Sequence, residues 1–335
     1  MQGMTYGLVS FFGSVPGTYL TQSFFHALIA AILADRAVEV WKITNPLVIQ
    51  RFRLIVILCA IFSFPVYQAI NAQRGTLAFR LGALFDSSRW LQLELPGHIP
   101  LGMLFLALLA LVSLLFLIQE VIPVVRHILE SKEEIQKGLV GDYELAGGTA
   151  MDLLQGEKPP VHVIDDDDAV IFSTTGRDPA IYLSRGLIAM LDPEEMKAAI
   201  AHELAHIERN RRPLLNVVFL LRVLMFFNPV VLLEFRKAVQ DEEKICDDRA
   251  VSLTGDPCAL AGTLRKIHQE PADIDLVRLH ELSKLRDSLE EHSLSTHLQS
   301  RIMRLEAEGT NEAKKETGPF VVTAVIIAVI NYFIV

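Results

Sequence analysis

The hydrophobic positions of this chain are gathered in blocks. The longest, residues 99–125 (IPLGMLFLALLALVSLLFLIQEVIPVV), meets its first charge at Glu120. About 20 apolar residues in a helix cross the hydrocarbon of a bilayer, so this block predicts a transmembrane helix. Residues 52–71 predict a second, kinked at Pro65. Residues 18–34 predict a more polar first span, diluted by Thr, Gln, Ser and His26, and residues 319–335 a short last one. A fifth apolar block, PLLNVVFLLRVLMFFNPVVLLE at 213–234, is interrupted by Arg222 and by Asn228-Pro229.

Polar positions dominate from Arg126 to Gly318. The segment 126–137 continues the third helix until Gly138 and Gly147-Gly148 break it. Pro159-Pro160 then opens VHVID, with AVIFST and AIYLS following, three short runs that predict strands. Asp192-Pro193-Glu194-Glu195 has the form of a helix start: an acidic cap, proline at the first helical position and glutamate at the third. The helix it opens runs through AAIAHELAHIERN, residues 198–210. The expected fold class is α+β. A membrane domain of three helices occupies 1–125, a mainly helical domain with a small sheet 126–318, and a C-terminal transmembrane helix 319–335.

Charge sharpens this picture. Lys and Arg are in excess in the loop holding Arg36, Lys42, Arg51 and Arg53, and again after the third span, which puts the polar domain in the cytoplasm. No basic residue precedes Arg36, so the chain is not expected to open with a cleavable signal peptide. The net charge of -9 argues against nucleic acid as a partner. Asp165–Asp168 is a solvated acidic loop; four consecutive carboxylates lack the alternation of a calcium loop. Three cysteines imply no disulfide framework.

The candidate chemistry lies in HELAH, residues 202–206. His202 and His206 are four apart, so on a helix both imidazoles project from one face. Glu203 stands beside the point they share, placed to take a proton from a water there. This HExxH spacing is that of a zinc site with glutamate as general base. The bland alternative is a helix with two solvated histidines. Downstream, DEEKICDDRA at 241–250 sets Glu243 and Asp247 four apart, again on one face. Taken alone it is a charged surface helix; beside HExxH, Glu243 is the candidate third ligand and Asp247 a carboxylate orienting a ligating histidine. If block 213–234 crossed a bilayer once, His206 and Glu243 would lie on opposite sides and share no metal. It is therefore expected to be a membrane-associated helical hairpin broken at Asn228-Pro229, or a buried soluble one.

HELAH, then Asn228-Pro229, then EKICD, behind leading apolar spans, resembles the BlaR/MecR-type membrane metallopeptidases, a gluzincin group with an ExxCD motif. It is also similar to the HtpX and CAAX-protease group. The resemblance runs from about Pro160 to Leu305 and includes THLQSRIMRL at 296–305, where Leu298 replaces a proline of the second group. It implies a zincin-like domain in a bacterial cytoplasmic membrane, with one zinc on His202, His206 and Glu243 and Glu203 as base. It also implies an edge strand near PAIYLS, 179–184, that receives the substrate backbone. Arg249 and His297 are candidates for an oxyanion or substrate contact, and the role of Arg301 is open. No sensor domain follows the last span before Val335, so β-lactam sensing is not expected to carry over.

The expected function is zinc-dependent endoproteolysis of a repressor or a membrane protein, at the cytoplasmic membrane surface, in regulation or quality control. A zinc-containing signalling or scaffold protein is the alternative, disfavoured because a structural site needs no base at Glu203. A transporter has little support, since the first three spans are nearly free of charge.

Overall fold

The computed structural model describes residues 7, 10–122, 159–174, 178–210, 214–269, 297–307 and 317–335. The principal helices and strands, in chain order, are α1 (Val15–Val40), α2 (Pro46–Ile70), α3 (Leu101–Phe116), β1 (Val161–Ile164), β2 (Ile171–Thr174), β3 (Ala180–Ser184), α4 (Arg185–Met190), α5 (Pro193–Asn210), α6 (Leu214–Leu224), α7 (Pro229–Thr254), α8 (Pro257–Gln269), α9 (297–307) and α10 (Thr317–Tyr332). The chain is mainly helical with a small sheet. It divides into two compact units: Met1–Glu130, Leu214–Glu242 and Ala313–Val335 form the first, Ser131–Pro213 and Glu243–Glu312 the second. The expected continuation of the third helix through 126–137 and the breaks at Gly138 and Gly147-Gly148 lie outside the described residues.

In the first unit, two helices among the described residues are long and apolar enough to cross a membrane, Pro46–Ile70 and Leu101–Val121. Thr317–Tyr332 is apolar but shorter. Helix α1 is long, but the residues it buries are small or polar, among them Gly17, Ser23, Ala27, Ala30 and Ala34. Small side chains let α2 approach closely, and Phe52, Val56, Ile57 and Ala60 share a core with those alanines. Arg222, which the sequence marks as costly in an apolar block, is buried against Glu120 and lies over the rings of Phe116, Phe219 and Phe235. Pairing and cation–π contact offset the cost of taking the guanidinium out of water. The block is broken after α6: the Asn228 side chain accepts from the Val230 N–H (3.1 Å) and Pro229 opens α7.

The second unit packs a three-stranded sheet on α5. The strand order is β1-β3-β2, with β1 parallel and β2 antiparallel to β3. The strand PAIYLS is thus central and paired on both sides, so it cannot receive a substrate strand. Among the described residues, the open edges belong to β1 and β2. Ile181, Leu183 and Leu187 are fully buried against Met196, Ala199, Ile200 and Ile207 of α5. The acidic turn Asp165–Asp168 is exposed, as its composition requires. Gly186 allows its backbone to come close, since a Cβ there would meet the Asp167 carbonyl at 1.8 Å. Helix α5 begins with a capping box. The Glu194 and Glu195 N–H groups donate to Asp192 Oδ1 (3.0 and 2.9 Å), and the Glu195 carboxylate accepts from the Asp192 N–H (2.9 Å).

Candidate metal centre

His202 and His206 are four positions apart on α5, and the helix brings their Nε2 atoms to 3.1 Å. The carboxylate of Glu243 on α7 lies 3.6 Å from each, through Oε2 to His202 and Oε1 to His206. The three ligand atoms fall within 4.8 Å of one another. A tetrahedral ion with bonds of 2.0–2.2 Å sets its ligand atoms roughly 3.3–3.6 Å apart. Two imidazoles and one carboxylate converging close to that spacing could hold such an ion, with its fourth position left open.

The contacts around these three candidate ligands are denser than the set itself. Asp247, one turn after Glu243 and buried to 1% side-chain exposure, places Oδ1 3.1 Å from His202 Nδ1. That is an ion-pair contact short of good hydrogen-bond alignment. Arg301 on α9 donates to both Asp247 oxygens (Nε 2.8 Å, Nη2 2.7 Å) and lies 3.0 Å from Glu243. One guanidinium thus holds Glu243 and the carboxylate behind His202. Ile302 and Leu305 beside it are buried with Ala250, Val251 and Leu260, which fixes α9 in place. Cys246 Sγ lies 3.4 Å from His206 Nδ1, the ring atom facing away from the cluster. Glu203 is turned to the sheet: Ser173 on β2 donates to its Oε2 at 2.7 Å.

These contacts set the charges. Burial alone would lower the pKa of His202, but the Asp247 and Glu243 carboxylates outweigh it and raise it to about 9. Burial would raise Asp247, yet Arg301 and His202 hold it down at about 2. Glu243 is lowered against its burial by His202 and Arg301.

Arg249 lies about 200° round α7 from Asp247 and gives its guanidinium to Glu208 of α5 (2.8 and 3.2 Å). His297 opens the described part of α9, one turn before Arg301. The sequence left Arg301 without a role. Its signal was a cation flanked by apolar positions Leu298, Ile302 and Leu305 on a core-facing helix. Ser173 had no signal at all, because only the sheet brings it to Glu203.

Taken together, HExxH on a helix behind an antiparallel edge strand, with a carboxylate from the next long helix converging on the two histidines, is an arrangement that fits a metallopeptidase. Residues 170–259 match the family model described as BlaR1 peptidase M56. The chain is similar to a protease HtpX homolog of Acidiphilium cryptum, 32% identical over 146 residues, covering 33% of this chain and 50% of that protein. It is similar to another of Bacteroides fragilis, 27% identical over 173 residues (39% of this chain, 53% of that protein). A third, from Aquifex aeolicus, is 39% identical over 64 residues, 18% of this chain and 20% of that protein. Part of the chain is thus similar to metallopeptidases of the BlaR1 and HtpX type, and the chain spans about half the length of the first curated relatives it matches.

Proposed function

We propose that this chain is a multi-pass membrane endopeptidase that uses one zinc ion and cleaves protein substrates at or near the cytoplasmic face of the membrane. The convergence of His202, His206 and Glu243, with Glu203 adjacent and outside the ligand set, carries the reading. Bound zinc supplies Lewis acidity toward the scissile carbonyl and lowers the pKa of water. Glu203, oriented by Ser173, takes the proton of the attacking water and returns it to the leaving amine. Asp247 holds the His202 ring and Arg301 holds Asp247 and Glu243, so the donors are in place before the metal arrives. The open edge of β2, beside Glu203, offers backbone groups to an extended substrate. Helices α1–α3 and α10 serve as membrane helices, and α6 with the start of α7 as a membrane-associated hairpin. Repressor release and membrane-protein quality control both suit such an enzyme.

The purified full chain in lipid nanodiscs is expected to cleave β-casein. 1,10-Phenanthroline should abolish cleavage, and about one equivalent of zinc per chain should restore it. Cleavage that persists once metal analysis shows zinc to be gone sinks the reading. Orientation has its own test. In a background lacking Cys59, Cys246 and Cys258, a cysteine replacing Arg89 is expected to react with an impermeant thiol reagent in intact cells. One replacing Lys42 should react only after permeabilisation. The reverse pattern overturns the side and leaves the chemistry standing.

A further inference from the structure

His162, Tyr182 and Phe172 stand in register on neighbouring strands, His162 opposite Tyr182 and Tyr182 opposite Phe172. Their rings form a row across the sheet, with centroids 5.2 and 4.9 Å apart and the Tyr182–Phe172 pair stacked. Side chains alternate along a strand, so this row lies on the face opposite Ile181, Leu183 and Ser173, which turn toward α5. The row ends at β2, where Phe172 is 42% exposed.

The backbone of β2 is also in register for an incoming strand. The Ser184 N–H donates to the Val170 carbonyl at 3.0 Å. In an antiparallel pair the bonded residues alternate, so Phe172 and Thr174 direct their backbone groups to β3 while Ile171 and Ser173 direct theirs outward. Among the described residues, no strand pairs that outer side. An extended chain bonded there faces Ser173 with one residue, whose side chain points toward α5 and Glu203. Its neighbours point to the other face, where the row of rings ends.

We propose that Phe172, backed by Tyr182, is a specificity-determining residue. It selects an aromatic or large aliphatic side chain on the substrate residue next to the one paired with Ser173. The added strand extends the aromatic row by one ring and covers apolar surface that β2 leaves open. The preferred substrates are therefore extended segments with a bulky apolar residue at one fixed position near the scissile bond. The inference rests on the peptidase reading above, with β2 as the receiving edge.

The test is cleavage-site profiling of a proteome-derived peptide library by the zinc-loaded full chain in nanodiscs. Wild type should enrich Phe, Tyr, Trp and Leu over Ala at one position within two residues of the cut. In Phe172→Ser that enrichment should fall by a factor of about two to five, the range of a cross-strand aromatic pair. Preferences at other positions should stay, and Phe172→Tyr should keep the enrichment. An unchanged profile in Phe172→Ser, or equal loss at every position, overturns the subsite. The same library is also captured on immobilised Glu203→Gln and on Glu203→Gln/Phe172→Ser. If wild type cuts nothing but the two captures differ in aromatic content, the peptidase reading falls and the subsite stands. If the captures are alike, the subsite falls.

Discussion

Glu203→Gln is expected to retain its metal at wild-type stoichiometry and lose peptide-bond cleavage by about 10²–10⁴-fold. The separation follows from the site's construction. The three donors that converge are His202, His206 and Glu243, and Glu203 is not among them. Its carboxylate instead accepts a hydrogen bond from Ser173, which glutamine can also accept through its amide oxygen. Shape and local bonding are therefore preserved and only the capacity to take a proton is lost. Metal analysis, a thermal unfolding curve and casein cleavage on one preparation give the three readings. A Glu203→Gln protein that cleaves at the wild-type rate rules out Glu203 as the general base. One that loses its zinc shows that Glu203 belongs to the ligand set.

Arg301→Ala is expected to destabilise the protein by about 3 kcal/mol, the lower end of the 3–5 kcal/mol that follows from breaking a buried ion pair. Asp247 is 1% exposed and Arg301 13%, so water does not compensate the lost guanidinium. The effect stays at the low end because His202 Nδ1 remains 3.1 Å from Asp247. The same change should raise the Asp247 pKa from its depressed value and weaken zinc binding by about 10–100-fold, as loss of support behind ligands does. Arg301→Lys should recover part of the stability and less of the affinity, since an ammonium cannot span both Asp247 oxygens and Glu243 in one plane. Equal melting and equal zinc affinity in Arg301→Ala and wild type would show that Asp247 needs no cation.

Local patterns made part of this legible. The cap at Asp192 and Pro193 works at the level of neighbouring backbone groups, and the helix begins where those residues require. The i,i+4 spacing of His202 and His206, and of Glu243 and Asp247, fixes a shared helix face before any tertiary contact exists. Proline at 229 breaks the apolar block for an equally local reason, a missing donor and a clash with the preceding turn.

What the sequence determined by itself was therefore short in range: the apolar blocks, the caps and breaks, the three strands, and two pairs of side chains each committed to one face. Everything resting on pairing across the chain was decided by the tertiary structure. The order of strands is one such case. Hydrophobic runs of four or five residues carry no information on which lies in the middle, and the sheet put Ala180–Ser184 there, opening the edge at Ile171–Thr174. The partners of isolated charges are another. Arg222 looks like an obstacle until Glu120 and three rings surround it, and Arg301 is one cation among many until α9 carries it to Asp247. A side chain's periodicity is set by its own backbone, but its partner is set by where the rest of the chain has gone.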